Sequence, residues 1–294
     1  MPTNQQRREA AKRKLERQLA NRAERARKRR VVGVVATVVG VVAVVGLIYW
    51  LANIGGDSKP ADSASPDTAE TTQADTPADT PKNIPTELAP VPKRSTALPA
   101  KNECAYPATK DEPAAKPVQP PQTKDVPGTG TATATINLNG KDVKATLDRA
   151  LAPCTVNSFE SLAKQGYFND TTCHRLTTGD GLQVLQCGDP SATGGGGPGY
   201  SFDDEVFPEI KYGRGILAMA NAGKSPEGKG TNGSQFFIVY GTAELPPNYT
   251  VFGSIDADSL KVVDDIAKAG TVSSGSPGDG KPKQPVTVKS VTVA

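Results

Sequence analysis

The chain has 294 residues, with 34 Lys/Arg against 31 Asp/Glu and a formal net charge of +3. Residues 1–30 alone hold twelve basic and three acidic side chains, so the remainder is net negative. The basic balance is thus confined to a short tail and gives no support to a nucleic-acid-binding domain; no nucleic-acid partner is expected.

The tail runs into "VVGVVATVVGVVAVVGLIYWLA", Val31 to Ala52, which carries no charge. A helix of that length rises about 33 Å, enough to cross a hydrocarbon core of about 30 Å. The preceding "RARKRR" holds its start on the cytoplasmic side, and Tyr49 and Trp50 suit the far interface. A cleaved signal peptide has an apolar region of about 7–15 residues and a small-x-small site, which this run lacks. The expectation is a cytoplasmic tail (1–30), a single transmembrane anchor (31–53) and an extracytoplasmic remainder at the cell membrane.

Residues 54–128 are rich in Pro, Ala, Thr, Ser and Asp, with stretches such as "SKPADSASPDTAETTQADTPADTP" and "KPVQPPQTKDVP". That composition buries too little apolar surface to offset ordering entropy, and predicts an extended spacer. Cys104, in "NECAYP", is out of place in such a tether.

From 129 to 294 the texture is that of a folded domain. "TATATINLNGKDVKATLD" predicts a hairpin turning at Asn139-Gly140. "APCTVNSFESLAKQGYF" predicts a helix, with Val156, Phe159 and Leu162 at helical spacing. The short apolar runs "TTCHRL", "LQVLQCG", "GILAMANA", "SQFFIVYG" and "YTVFGSI" predict strands. "DSLKVVDDIAKAG" predicts a second helix closed by Gly270, and "PVTVKSVTVA" a last strand. Many short strands with two helices read as a mainly β fold, a closed antiparallel barrel plugged by helices.

Cys104, Cys154, Cys173 and Cys187 all follow the apolar segment, where disulfides persist. Four cysteines allow three pairings, and buried free thiols remain an alternative. If "TTCHRL" and "LQVLQCG" form a hairpin, Cys173 and Cys187 face each other, and Cys104 can pin the tether to Cys154. With no C-x-x-C and one histidine, His174, no metal site is expected. "GGGGPG" at 194–199 leads into no helix, so it is not a dinucleotide loop. "FDDE" reads as a solvated acidic loop and His174 as structural. No cofactor is implied.

In "TNGSQFFIVYG", alternation points Gln235 and Phe237 one way and Phe236 the other, so both faces of one strand are apolar. Together "CHRL", "LQVLQCGDP", "GILAMANAG", "TNGSQFFI" and "VFG", in that order, resemble the cyclophilin family of peptidyl-prolyl isomerases from about Thr133 to Ala294. The resemblance implies an eight-stranded barrel capped by two helices, binding Pro-containing polypeptides on its outer surface. It makes Arg175 the catalytic guanidinium, and Phe237 and Leu245 the proline pocket. Gln186 and Gln235 become the orienting amides, Ala220 and Asn221 the peptide edge, and Gly194 a neighbouring loop residue. Phe236 would fill the interior.

Departures from the family pattern cluster in this pocket. The loop after Arg175 is longer, Gln183 stands where an aromatic is expected, and Val184 where a methionine is. Glu244 lies near the place of a common tryptophan, and Tyr249 replaces a histidine. Weak cyclosporin binding and a monomer are expected. Two rival readings keep the chain but drop turnover: a tethered peptide-holding module, and an envelope scaffold acting through the basic tail.

Overall fold

The structure, a computed structural model, describes residues 79–110 and 112–294. The basic tail and apolar segment of the sequence reading lie outside the described residues. No helix among the described residues is long and apolar enough to cross a membrane.

The main sheet is built from β3 (Thr131–Leu138), β4 (Lys141–Asp148), β5 (Thr171–Thr172), β6 (Arg175–Thr177), β7 (Leu182–Cys187), β8 (Ile216–Met219), β9 (Phe236–Ala243), β10 (Val251–Ile255), β11 (Thr271–Ser276), β12 (Asp279–Pro282) and β13 (Thr287–Val293). Its order is β11-β12-β6-β7-β9-β8-β10-β4-β3-β13-β5, antiparallel throughout. Helices α1 (Pro153–Lys164) and α2 (Ala257–Lys268) pack against it. Asn139 and Gly140 both take positive φ, 51° and 86°, which a two-residue hairpin turn requires.

The expected closed eight-stranded barrel is corrected to a curled, open sheet of eleven strands. The seam lies within "TTCHRL", expected as one strand. Thr171–Thr172 pair with β13, and Cys173 still gives its N–H to Val286 O at 2.9 Å. Two residues later Arg175 pairs with β7 instead. β6 has β7 on one edge and β12 on the other, so no edge is left there for β13. The chain and the Cys173–Cys187 disulfide cross the seam, while the backbone ladder does not.

Inside the curl, Phe159 of α1 packs on Phe168, Phe236 and Phe252, with ring centroids 5.0–5.5 Å apart. Phe236 is fully buried, as its facing predicts. α1 begins with a proline and has no side-chain cap of its own at Ala152. The carboxylate of Glu205 supplies one, accepting from Cys154 N at 3.0 Å, Thr155 N at 2.7 Å and Thr155 Oγ1 at 2.7 Å. An anion there satisfies free N–H groups and meets the positive end of the helix. The "FDDE" acids are thus engaged by the fold, with Asp203 still exposed: Asp203 accepts from Gly230 N, and Asp204 from Asn221, Asn232 and Lys224.

Of the expected extended spacer 54–128, residues 79–110 and 112–128 are docked instead. Asp79 exchanges backbone hydrogen bonds with Thr271, and Ala89 donates to Arg214 O. Arg94 donates to Leu151 O and Glu205 O and stacks 4.4 Å from the Phe207 ring centroid. Cys104 is bonded to Cys154 of α1. Tyr106 is buried against Tyr200 and Phe202, and its hydroxyl donates to Cys154 O at 2.7 Å. A short pair, β1 (Lys101–Asn102) with β2 (Val126–Pro127), folds the segment back on itself. Its anchors are single residues spread among prolines, a pattern with no period to read.

Candidate active site

Cross-strand register lines up one row of side chains on the outer face of the sheet. Arg175 of β6 is opposite Gln186 of β7, Gln186 is opposite Phe237 of β9, and Phe237 is opposite Ala218 of β8. Gln235 precedes Phe237 by two residues and shares its face. The row is thus set by strand pairing, with no loop needed to deliver it.

The polar side chains on this face are linked by hydrogen bonds. Arg175 donates through Nε and Nη2 to the two carboxylate oxygens of Asp279, at 2.8 and 2.7 Å, and through Nη1 to Gln186 Oε1 at 3.2 Å. Gln186 Nε2 donates to Gln235 Oε1 at 2.9 Å, and Gln235 Nε2 to the carbonyls of Gly194 and Gly196 at 2.9 and 3.0 Å. The loop offering those carbonyls is wound around Asp189, which is fully buried and accepts from the N–H groups of Ser191, Thr193, Gly194 and Gly196. Burial works against the charge on Asp189, but these bonds and the Ser191 hydroxyl hold its carboxyl below the usual range.

A guanidinium has five N–H donors, and three of those of Arg175 are accounted for. Two remain, and the side chain keeps 36% of its exposure. Its hydrogen bond to Asp279 raises the Arg175 pKa further, so the charge is permanent, and the same bond holds Asp279 below the usual carboxylate range. His174 next door has both ring nitrogens buried and without a hydrogen-bond partner. Burial lowers its pKa, with Asp189 opposing the shift. It lies beneath the Gly194 loop.

Phe237 is 5% exposed, and two tyrosines surround it. Tyr249 meets it edge-on at 5.8 Å and Tyr212 lies 6.5 Å away. Tyr212 and Tyr249 are tied together: the Tyr212 hydroxyl donates to Tyr249 O at 2.8 Å and accepts from Tyr249 N at 2.9 Å. Burial pushes the Tyr212 hydroxyl up to about 12, so it stays neutral at physiological pH.

A family model described as cyclophilin type peptidyl-prolyl cis-trans isomerase/CLD matches residues 133–293, more than half of the chain. The chain is a cyclophilin. It is 49% identical over 201 residues to a probable peptidyl-prolyl cis-trans isomerase B of Mycobacterium leprae, covering 64% of this chain and 65% of that relative. A Mycobacterium tuberculosis relative of the same description is 46% identical over 216 residues, covering 69% of this chain and 67% of its own length. The chain therefore spans about two thirds of the curated relatives it matches. A solved cyclophilin type isomerase of Cryptosporidium parvum is 32% identical, covers 56% of this chain and 98% of its own, and has a TM-score of 0.46.

Within this cyclophilin, Arg175, Gln186, Gln235, Phe237, Tyr249 and Gly194 form one connected site. Ala220 joins it through the backbone, donating its N–H to Gln235 O at 3.0 Å. The Asn221 side chain is committed to Asp204, Asn248 O and Gly223 N, which leaves its backbone as what it can offer a peptide. Val184 shares the outer face but is only 2% exposed, so it is floor rather than wall. Leu245 sits half-buried in the β9–β10 loop. Gln183 takes up no pocket position: its amide donates to Asn83 O at 2.7 Å and accepts from Thr242 N at 3.0 Å. A cavity of about 340 Å³ lies elsewhere, between residues 121–127 and α1, and contains none of these residues.

Three members escaped sequence reasoning. Asp279 is 104 residues from Arg175 in a Gly/Ser/Pro-rich stretch with no alternation. Tyr212 precedes its strand by a loop, and Asp189 was legible only as part of "QCGDP". The two glycines flanking Asp279 were the one available hint of a turn. The cysteines pair as Cys104–Cys154 and Cys173–Cys187, leaving no free thiol among the described residues.

Proposed function

We propose that the chain is a membrane-anchored peptidyl-prolyl cis-trans isomerase acting on Pro-containing chains outside the cytoplasm and assisting their folding. The observation that carries this reading is the partly exposed Arg175 guanidinium, held through three donors by Asp279 and Gln186, with two donors left over beside an aromatic floor. Rotation about a peptide bond breaks amide resonance, a barrier of about 18–20 kcal/mol. At the twisted geometry the prolyl nitrogen regains its lone pair and accepts a hydrogen bond. A guanidinium donates to it without ever losing its own proton. A charge-assisted hydrogen bond of about 1.5–3 kcal/mol, at 1.36 kcal/mol per decade, supplies one to two decades of rate. Seating the proline ring on Phe237 while the preceding carbonyl swings supplies the rest, since only interactions stronger in the transition state accelerate the step. Gln235 and the Ala220–Asn221 backbone edge align the peptide. No cofactor or titrating base enters the scheme.

The anchor and the extracytoplasmic orientation rest on the charge and length of residues 1–53. Weak cyclosporin binding follows from Val184 and Tyr249 at the pocket, with Gln183 turned away to Asn83 and Thr242. A second reading, a tethered module that binds Pro-containing segments with little turnover, is favoured by Tyr212 and Tyr249 narrowing access to Phe237. Exchange between cis and trans Ala-Pro-Phe peptide, followed by NMR with the full-length protein in detergent, separates the two. Accelerated exchange supports the isomerase. Peptide line-broadening from binding, with the exchange rate unchanged, supports the holding module.

A further inference from the structure

We propose that Asp279 is a positioning residue for Arg175, and that Asp79, upstream of the family-matched residues, holds the hairpin that presents it. The inference rests on the isomerase reading and adds to it a carboxylate that orients the catalytic cation.

The geometry has three links. Asp279 opens β12 opposite Thr177 of β6, which puts it diagonal to Arg175 on the same face. From there it takes Nε and Nη2 together, at 2.8 and 2.7 Å. A two-point grip fixes the plane of a guanidinium as well as its place, which one contact to Gln186 cannot do. The grip occupies one edge of the ion and leaves the remaining donors on Nη1 and Nη2 facing away from β12.

The second link is the turn. β11 and β12 lose register between Ser273 and Ser276, and Gly278 takes φ +71° immediately before Asp279. Such a Gly/Ser/Pro turn has little apolar burial of its own to hold it.

The third link supplies that hold. The Asp79 carboxylate accepts from the Gly278 N–H at 3.0 Å and from the Ser273 hydroxyl, while its backbone pairs with Thr271. One residue of the docked segment thus spans both limbs of the hairpin and bonds the residue adjacent to Asp279. The segment that reads as spacer in sequence is in this way part of the support of the active site.

The test uses the full-length protein in detergent and peptide exchange resolved into kcat and KM. Asp279→Asn keeps the shape but loses the charge and one acceptor oxygen. Its kcat is expected to fall about tenfold with KM within about twofold, as for an orienting group that leaves peptide binding intact. Asp279→Glu should recover part of the loss, and Asp79→Ala should lower kcat by a smaller factor. The Arg175 Nε–H resonance is a second readout: in the wild type it should be slow to exchange with solvent, and in Asp279→Asn fast. Wild-type kcat together with an unchanged Nε–H signal in Asp279→Asn would overturn the proposal. Should that variant not fold, Asp279→Glu and Asp79→Ala decide, and unaltered kcat in both overturns it. A wild-type protein that fails to accelerate exchange would instead remove the isomerase reading, while the Nε–H signal still tests the positioning role.

Discussion

Removing the Cys104–Cys154 bridge by Cys104→Ala/Cys154→Ala should destabilise the protein strongly and leave its catalysis almost untouched. The bridge closes a loop with a sequence separation of 50 between the docked segment and α1. Freeing that loop in the unfolded chain costs the native state about 4 kcal/mol by the chain-entropy relation. For a folded unit of this size each kcal/mol moves Tm by about 2–4 °C, so the melt should fall by about 8–16 °C. Arg94 and Tyr106 still hold the segment by their own contacts, so the loss should come as a lower melt of a folded protein. The assay is a thermal melt by circular dichroism beside peptide exchange at 25 °C. The second bridge is the internal control. Cys173 and Cys187 are separated by only 14 residues, worth about 3 kcal/mol on the same relation. They flank the Arg175–Gln186 pair, so Cys173→Ala/Cys187→Ala should lower kcat as well as Tm. A Cys104/Cys154 variant whose Tm moves by less than about 2 °C, or whose kcat falls as far as the control's, would refute the reasoning.

The buried pair Arg214–Asp264 ties the approach to β8 to α2, with side chains only 6% and 13% exposed. Asp264→Ala should cost about 3–5 kcal/mol in denaturant unfolding because Arg214 is left charged and buried, and Arg214→Met/Asp264→Leu should recover most of that. A small loss in the single variant would mean that the site is wetter than its burial implies. The chain has one histidine, and burial depresses the pKa of His174. A depressed His binds its proton more readily when unfolded, so stability is full above its unfolded value of about 6.5 and declines as pH falls below it. Asp189 and Asp279 are depressed carboxyls, so their contributions persist above the ordinary carboxylate pKa of about 4 and are lost only below it. Melts should therefore weaken from about pH 6.5 downwards in the wild type and much less in His174→Gln, with a common further loss below about pH 4. Peptide exchange should stay flat between about pH 6.5 and 8 because Arg175 keeps its proton, and an activity limb in that window would show that another group titrates in the mechanism.

The parts of this protein legible in sequence are those governed by a period. The hairpin at Asn139-Gly140, both helices and the two-faced strand around Phe236 and Phe237 follow from spacing alone, and the motifs around Arg175 and Gln235 give the family. What stayed hidden has no period. β11 and β12 are polar strands of Ser, Gly and Asp at a sheet edge, so Asp279 reads as loop. The docked segment holds on by Asp79, Arg94, Cys104 and Tyr106, each alone among prolines and small residues. The acids of "FDDE" look solvated until Glu205 is seen to cap a helix 50 residues away in sequence. Many short strands with two helices read as a closed barrel, and the seam at Cys173–His174, inside a run that reads as one strand, depends on which neighbour each residue pairs with.

Arg175→Ala offers the most direct test of the central claim that a fixed guanidinium supplies the catalysis. Exchange of the Ala-Pro-Phe peptide would be measured with wild type and variant, alongside peptide affinity. The account predicts a fall in kcat of roughly ten- to hundredfold with affinity little changed, the share assigned to one charge-assisted hydrogen bond. Wild-type exchange rates in Arg175→Ala would contradict it and place the catalytic group elsewhere in the groove.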